Sequence, residues 1–550
     1  MSPPTLHASV TLDRLTFTWP DGSTALSEVS GSFGAGRTGL VGRNGSGKST
    51  LLRLIAGALE PTAGVVHATG DVAYLPQQLT LDVERRVAEL LGVAPALDAA
   101  RAIAAGNVDP AHFDAVGDDW DIEARAEASL AEAGLAPEFL DRRVGELSGG
   151  EAVLVAIAGI RLRRAPITLL DEPTNNLDRD ARSRLAAMIT AWKGTLIVVS
   201  HDVSLLELMD DTAELYAHSL SVFGGPYSEW RAWLDAEQDA AKQAEVTAAQ
   251  ALRKEKRQRI EAETKLAHRS RTAKKAEIEK RVPRIVAHGR KMAAEVSAGK
   301  LRTEVGAKED AARAARDEAG RRIRSDSSMK IELPDPQVSR SRRIATIGDG
   351  ERSWVVQGPE RVALIGRNGA GKTTLLQRLV ASAAEVGAQD SAGIEPDVPD
   401  PARPPLEAVA HTDLVGYLPQ RVDGLDEDRS VFENIAVAAP QVPEKELRNR
   451  LARFLIRGAT ADRPVAALSG GERFRVALAT LLLSDPAPHL VVLDEPTNNL
   501  DLDTVDQLVE ALRAYRGAVL IVSHDDAFLA RLDLDLTLEI SADGTLQEVG

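Results

Sequence analysis

The chain has no cysteine among its 550 residues, which excludes a disulfide framework and any thiolate metal site and is compatible with a reducing compartment. Long hydrophobic runs are missing too. The longest, such as TLIVVS at 195–200 and HLVVLD at 489–494, are strand-sized and far short of the roughly 20 residues that a bilayer demands. The first thirty residues carry scattered Asp, Glu and Arg with no continuous apolar stretch, so neither a signal peptide nor a membrane span is expected. The closing TLEISADGTLQEVG reads as final strands, with no extension expected. From Tyr227 to Val282 there is neither Gly nor Pro, which removes the two strongest helix breakers from that stretch. What is present is 44% apolar content, enough over this length for two to four domains.

The nine residues LDEPTNNLD stand at 170–178 and again at 493–501. The copy extends further: GRNGSGKST at 42–50 returns as GRNGAGKTT at 366–374, YLPQ at 74–77 returns at 417–420, LSGGE at 147–151 returns at 468–472, and VSHD at 199–202 returns at 522–525. The chain is an internal duplication. The offset is 324 at the P-loop lysines, 343 at the glutamines, 321 at the LSGGE serines and 323 at the histidines. The second repeat therefore has 19 extra residues before its glutamine, around the Pro-rich IEPDVPDPARPP at 394–405, and the first has 22 extra after its own, within about 92–120.

Each repeat runs strand, Gly-rich loop, helix. TGLVG at 38–42 is a short apolar strand, GRNGSGKS fits GxxxxGK[ST], and TLLRLIAGAL at 50–59 has helical apolar spacing. Gly42, Gly45 and Gly47 let backbone N–H groups wrap phosphate oxygens at a helix N-terminus, with Lys48 as a point charge and the Ser49 hydroxyl for Mg²⁺. Gly366, Gly369, Gly371, Lys372 and Thr373 offer the same set. ITLLDE at 167–172 and LVVLDE at 490–495 have the form of buried parallel strands that deliver two carboxylates to one sheet edge. There Asp171 and Asp494 suit Mg²⁺, and Glu172 and Glu495 suit proton transfer with an attacking water.

This set, in order and in duplicate, resembles the ATP-binding cassette ATPases. Two cassettes without membrane spans, TNNLD after each DEP, and a charged helical linker between them resemble specifically the ABC-F translation factors. The resemblance implies an α/β fold of two tandem P-loop cassette domains joined by a long antiparallel α-helical linker: cassette 1 at 1–228, linker at 229–328, cassette 2 at 329–550. It implies ATP hydrolysis with ATP and Mg²⁺, Glu172, Glu495, His201 and His524 being catalytic, the histidines at the γ-phosphate. Asn44 and Thr50, and Asn368 and Thr374, would complete the two ATP-binding loops, and Gln77 and Gln420 would join Ser49, Asp171, Thr373 and Asp494 around the metal. In a head-to-tail sandwich Ser148, Gly149 and Gly150 would close over the ATP on Lys372, and Ser469, Gly470 and Gly471 over the ATP on Lys48, with Asp178 and Asp501 coupling the sites. That pairing within one chain answers why both repeats keep both halves, and implies a monomer.

Two departures stand out. After LSGGE the second repeat continues RFRVALA, whereas the first continues AVLVAIA, an apolar helix expected to face the second ATP site. Trp19 matches the adenine-stacking aromatic of the family, and its counterpart by P-loop spacing is Arg343.

Residues 231–330 hold 26 Lys and Arg against 16 Asp and Glu, a net +10 in a chain whose net charge is −16. A basic spacer on an acidic body is the part that suits nucleic acid. A helix from Tyr227, a turn within 281–300 and a second helical stretch over about 301–323 predict an antiparallel hairpin, with Arg281, Arg284, Arg290 and Lys291 near its tip as RNA-binding candidates. The resemblance makes the partner the ribosome near the tRNA exit site, through ribosomal RNA and with tRNA an open further contact, in translation or in protection against antibiotics; the location implied is cytoplasmic. The competing class is a cassette ATPase that drives a DNA clamp, DNA repair or a separate membrane permease.

Overall fold

The computed structural model describes all residues except 1–7, 78, 80–82, 176, 279–283, 325–332, 388–405, 421–423, 455, 457, 499, 542 and 550. The Pro-rich insertion at 394–405 lies outside the described residues. Residues 1–227 and 328–550 form one compact unit and 228–327 a second.

In the first cassette a six-stranded sheet runs in the order 72–75, 167–171, 195–199, 36–41, 211–216, 219–224, parallel except for its last pair. The second cassette repeats it with 415–418, 490–494, 518–522, 361–366, 536–540 and 546–548. The central strands Ile167–Asp171, Thr195–Val199, Leu490–Asp494 and Ala518–Val522 are buried at every position. That explains their unbroken apolar runs, since helices cover a parallel sheet on both faces. Because the strands are parallel, the P-loop, the acidic pair and the histidine of each cassette all emerge at one edge.

A three-stranded antiparallel sheet, Thr24–Phe33, Val10–Thr18 and Ala63–Ala68, packs its core on one side of the large sheet. A helical layer covers the other side, its core built on Leu97, Leu130, Leu154, Ile157 and Leu185. The 22-residue excess of the first repeat falls here: helices Ala94–Ala104 and Pro110–Val116 lie between the bridge partners Arg86 and Arg143, whereas the bridge partners Ser430 and Pro464 of the second cassette are joined by a shorter segment.

Two structural corrections belong to this layer and to the first strand. The apolar AVLVAIA residues do not line the second nucleotide cavity: Leu154, Val155, Ala156, Ile157 and Ala158 pack into the core of their own cassette. Arg343 is not the structural counterpart of Trp19. Trp19 follows its strand Val10–Thr18, whereas Arg343 opens the strand Arg343–Gly348; the shorter path to the second P-loop misaligns a count made back from the lysines.

The second unit is helical: Tyr227–Ile278 spans 52 residues and Arg284–Arg322 spans 39, about 78 and 58 Å long at about 1.5 Å per residue. The helices run antiparallel, since Gln238 meets Arg322, Glu245 meets Arg316 and Arg259 meets Glu309 in reversed order. Residues 284–300, expected within the turn, are helix. Gly289 and Gly299 are tolerated inside it because one helical glycine costs only about 1 kcal/mol relative to alanine. Of the four tip candidates, Arg281 lies outside the described residues, and the backbone of Arg284, Arg290 and Lys291 lies in the first turns of this helix.

Candidate functional site: two nucleotide cavities between the cassettes

Both P-loops bend where a side chain cannot follow. Gly42 and Gly366 have φ of 149° and 144°, and a Cβ there would sit 2.6 and 2.5 Å from the carbonyl oxygens of Leu215 and Ile540. Lys48 Nζ donates to the carbonyls of Gly42 and Arg43 at 2.6 and 3.0 Å, and Lys372 Nζ to those of Gly366 and Arg367 at 2.6 and 2.9 Å. Burial lowers the pKa of both lysines. A buried ammonium beside a curl of backbone N–H groups suits a polyphosphate anion.

The hydroxyls next in sequence meet the strand-end acids. Ser49 Oγ donates to Asp171 Oδ1 at 3.1 Å, and Thr373 Oγ1 to Asp494 Oδ2 at 2.9 Å. Burial raises the pKa of both aspartates, so a cation alongside would stabilise their charged forms. Gln77 and Gln420 line the respective cavities with these hydroxyls. Among the described residues no three His, Asp or Glu converge as a cage. A hydroxyl, one carboxylate and phosphate oxygens suit the octahedral, partly hydrated Mg²⁺ ion, and the donors present fit it.

Glu172 and Glu495 stand one residue past their strands in left-handed backbone, φ 51° and 48°, a conformation that costs a bulky residue on the order of 1–3 kcal/mol. The same strain occurs in both copies, which marks a positioned side chain. Glu172 Oε1 and Glu495 Oε1 are buried without a hydrogen bond, although His201 Nε2 and His524 Nε2 lie 3.2 Å from them. Burial pushes Glu495 up to about 7 and His524 down to about 3; it raises Glu172 and lowers His201 in the same sense. Buried acceptors of this kind can take a proton from water near neutral pH.

The shift carries a stability prediction. Between the ordinary glutamic pKa of 4.5 and about 7, folded Glu495 keeps a proton that the unfolded chain has lost, so its contribution to stability falls as pH rises through that window. Glu495→Gln removes the titration. Without nucleotide it gains on the order of 2–3 kcal/mol over wild type by pH 8 and nothing at pH 4. Thermal unfolding across that range checks this, and a constant difference at all pH values contradicts it.

The cassettes interlock through their aspartate caps. Asp178 Oδ1 caps the helix Arg179–Thr190 by accepting from Ala181 N at 3.0 Å, and its Oδ2 accepts from Asn368 N of the opposite P-loop at 3.3 Å. Asp501 likewise caps Leu502–Ala514 through Thr504 N at 2.9 Å and accepts from Asn44 N at 2.8 Å. Each carboxylate thus ties a helix of one cassette to the phosphate loop of the other. Ion pairs Arg43–Asp503 and Arg367–Asp180 flank these contacts at 3.2 and 3.3 Å.

One cavity of about 560 Å³ brings Trp19, Asn44, Gly45, Gly47, Lys48, Ser49, Thr50, Gln77, Glu172 and His201 together with Ser469, Gly470 and Gly471 of the second cassette. Trp19 also stands edge-on to Phe17, centroids 4.9 Å apart. The other cavity, about 380 Å³, gathers Asn368, Gly369, Gly371, Lys372, Thr373, Thr374, Gln420, Glu495 and His524. Ser148, Gly149 and Gly150 are not among its described lining residues. From the first cassette it receives Leu177 and Arg182 instead. Neither had been singled out in the sequence, nor had Asn175 and Asn498, which line the two cavities. For Arg182 the signal was a difference between repeats, Val505 holding the equivalent place four residues after Asp501.

The residues 26–175 and 351–498 match the ABC transporter family model. The chain is 32% identical over 555 residues to the tylosin resistance ATP-binding protein TlrC of Streptomyces fradiae, covering 93% of this chain and 94% of that one. It is 31% identical over 522 residues to ATP-binding cassette sub-family F member 3 of Mus musculus, covering 90% of this chain and 66% of the relative. Among solved structures it is similar in fold to the archaeal ribosome recycling factor aABCE1, solved in complex with the ribosomal stalk protein aP1, with a TM-score of 0.54, 19% identity, and coverage of 97% of this chain and 89% of that one. Paired P-loop cassettes with this site make the chain an ATP-binding cassette ATPase. It belongs to the ABC-F family. No described helix is long and apolar enough to cross a membrane.

Proposed function

We propose that this ATPase closes on two ATP molecules as an intramolecular sandwich, binds the ribosome near the tRNA exit site in that closed form, and leaves it after hydrolysis. The observation that carries the sandwich is the first cavity, where Lys48 of one cassette and Ser469–Gly471 of the other line a single space. In each site the P-loop N–H groups and lysine bind the phosphates, and Gln77 or Gln420 with Ser49 and Asp171, or Thr373 and Asp494, would hold Mg²⁺. When bound there, Mg²⁺ would supply neutralisation of the phosphate charge. Glu172 and Glu495 orient and deprotonate the attacking water, His201 and His524 hold the terminal phosphate, and Asp178 and Asp501 relay closure of one site to the opposite loop.

The ribosome enters through the family and through the arm, whose net +10 on an acidic protein suits phosphate-rich RNA. Among its described residues few apolar side chains are buried, Leu252 and Ala241 being two of them. The arm then reaches toward the peptidyl-transferase region, with the tip basic residues against RNA. The name of the Streptomyces relative supports a role in antibiotic resistance; the cytoplasm is the location proposed. Co-sedimentation with ribosomes in ATP-containing gradients tests it, as the Discussion sets out.

The two sites differ in what the opposite cassette supplies, so the single variants Glu172→Gln and Glu495→Gln retain unequal ATPase rates. Steady-state phosphate release measures this, and equal residual rates contradict it.

A further inference from the structure

Resting on the two ATP sites above, we propose that Arg182 is a phosphate ligand of the second site, supplied by the first cassette to a cavity whose other cations and acids belong to the second. Among the described residues that line the first site, the second cassette supplies no arginine. Four positions after Asp178, Arg182 lies on the helix Arg179–Thr190 and lines the cavity that holds Lys372, Thr373, Glu495 and His524. Four positions after Asp501, Val505 is buried in the apolar core of its own cassette.

The guanidinium is already held by two hydrogen bonds within its own cassette. Arg182 Nε donates to the carbonyl of Leu177 at 3.1 Å, and NH1 donates to Asp202 Oδ2 at 3.0 Å. Asp202 is buried and also caps the following turn through Leu205 N. Two fixed bonds pre-orient a planar fork, which lowers the entropy cost of a further contact and suits it to a phosphate oxygen. Its charge is felt across the cassette boundary: it lowers the pKa of Glu495 and of His524, and that of the half-buried Asp525. A cation that lines the same cavity as the water-activating carboxylate and the phosphate-binding histidine is placed where charge develops during phosphoryl transfer.

A purely structural role competes, because Arg182 also offsets the buried carboxylate of Asp202 and the half-buried one of Asp525. The two roles separate in site-resolved assays on the full-length protein. With Glu172→Gln as the parent, hydrolysis is left to the second site; adding Arg182→Val lowers turnover by about tenfold to a hundredfold, and Arg182→Lys by less. With Glu495→Gln as the parent, the same Arg182→Val changes turnover by less than about twofold. In the slowly hydrolysing Glu172→Gln/Glu495→Gln protein, Arg182→Val weakens ATP binding at one of two sites by about tenfold while ADP affinity changes less. Asp202→Asn keeps the cap and removes the charge that the guanidinium offsets. Adding it to Arg182→Val leaves second-site turnover low if the arginine contacts phosphate. Recovery of turnover in that combination, or equal losses in the two parents, overturns the proposal. Parents that hydrolyse ATP at wild-type rates overturn the reading of the sites themselves, and the proposal with it; normal parents indifferent to Arg182→Val overturn the proposal alone.

Discussion

The double variant Glu172→Gln/Glu495→Gln binds ATP and hydrolyses it about 10²–10⁴-fold more slowly than wild type. Glutamine keeps the size of the side chain and its place at the end of a buried strand, and it removes the proton acceptor. The geometry makes a large loss necessary: each glutamate is held in left-handed backbone at the edge of its sheet, with one carboxylate oxygen buried and without a hydrogen bond. The adjacent histidines do not replace it, because burial lowers the pKa of both His201 and His524, which makes them weak bases. Affinity for ATP persists, since the P-loops and their lysines are untouched. Phosphate release and equilibrium nucleotide binding measure the two effects separately, and wild-type turnover in the double variant removes the catalytic assignment.

Neutralising the arm produces the second large effect. Replacing Arg281, Arg284, Arg290 and Lys291 by Gln removes four positive charges from an arm that carries a net +10 over residues 231–330. If these side chains displace counterions from ribosomal RNA, each lost contact shallows the log–log dependence of binding on salt by about 0.9 in duplex and about 0.7 in single-stranded regions. The quadruple variant then binds ribosomes more weakly at low salt, with a slope smaller by up to a few units. Its intrinsic ATPase rate is retained, because the described lining residues of both cavities belong to the cassettes. A variant that matches wild-type affinity at every salt concentration makes the arm a mere spacer.

What the sequence revealed and what it concealed divide along physical lines. Motifs that act within one cassette were legible, because a buried parallel strand ending in Asp-Glu and a glycine loop before a helix have few other uses. The sharing of the first cavity with Ser469–Gly471 followed from family resemblance, and no local pattern encodes it. Arg182 was missed for the same reason: its meaning depends on how one cassette packs on the other, although the mismatch with Val505 was visible. The AVLVAIA helix misled because apolar residues at a motif were read as facing a ligand, when the nearer demand was the core they fill. The arm's second helix starts earlier than expected because glycine punctuates a helix only weakly when good formers surround it.

The central claim, that ATP-driven closure creates the ribosome-binding form, is tested most directly by sedimenting the Glu172→Gln/Glu495→Gln protein with ribosomes through sucrose gradients containing either ATP or ADP. The account predicts that the protein travels with ribosomes in ATP and stays at the top of the gradient in ADP. Protein that stays at the top in both nucleotides, or that travels with ribosomes equally in both, contradicts it.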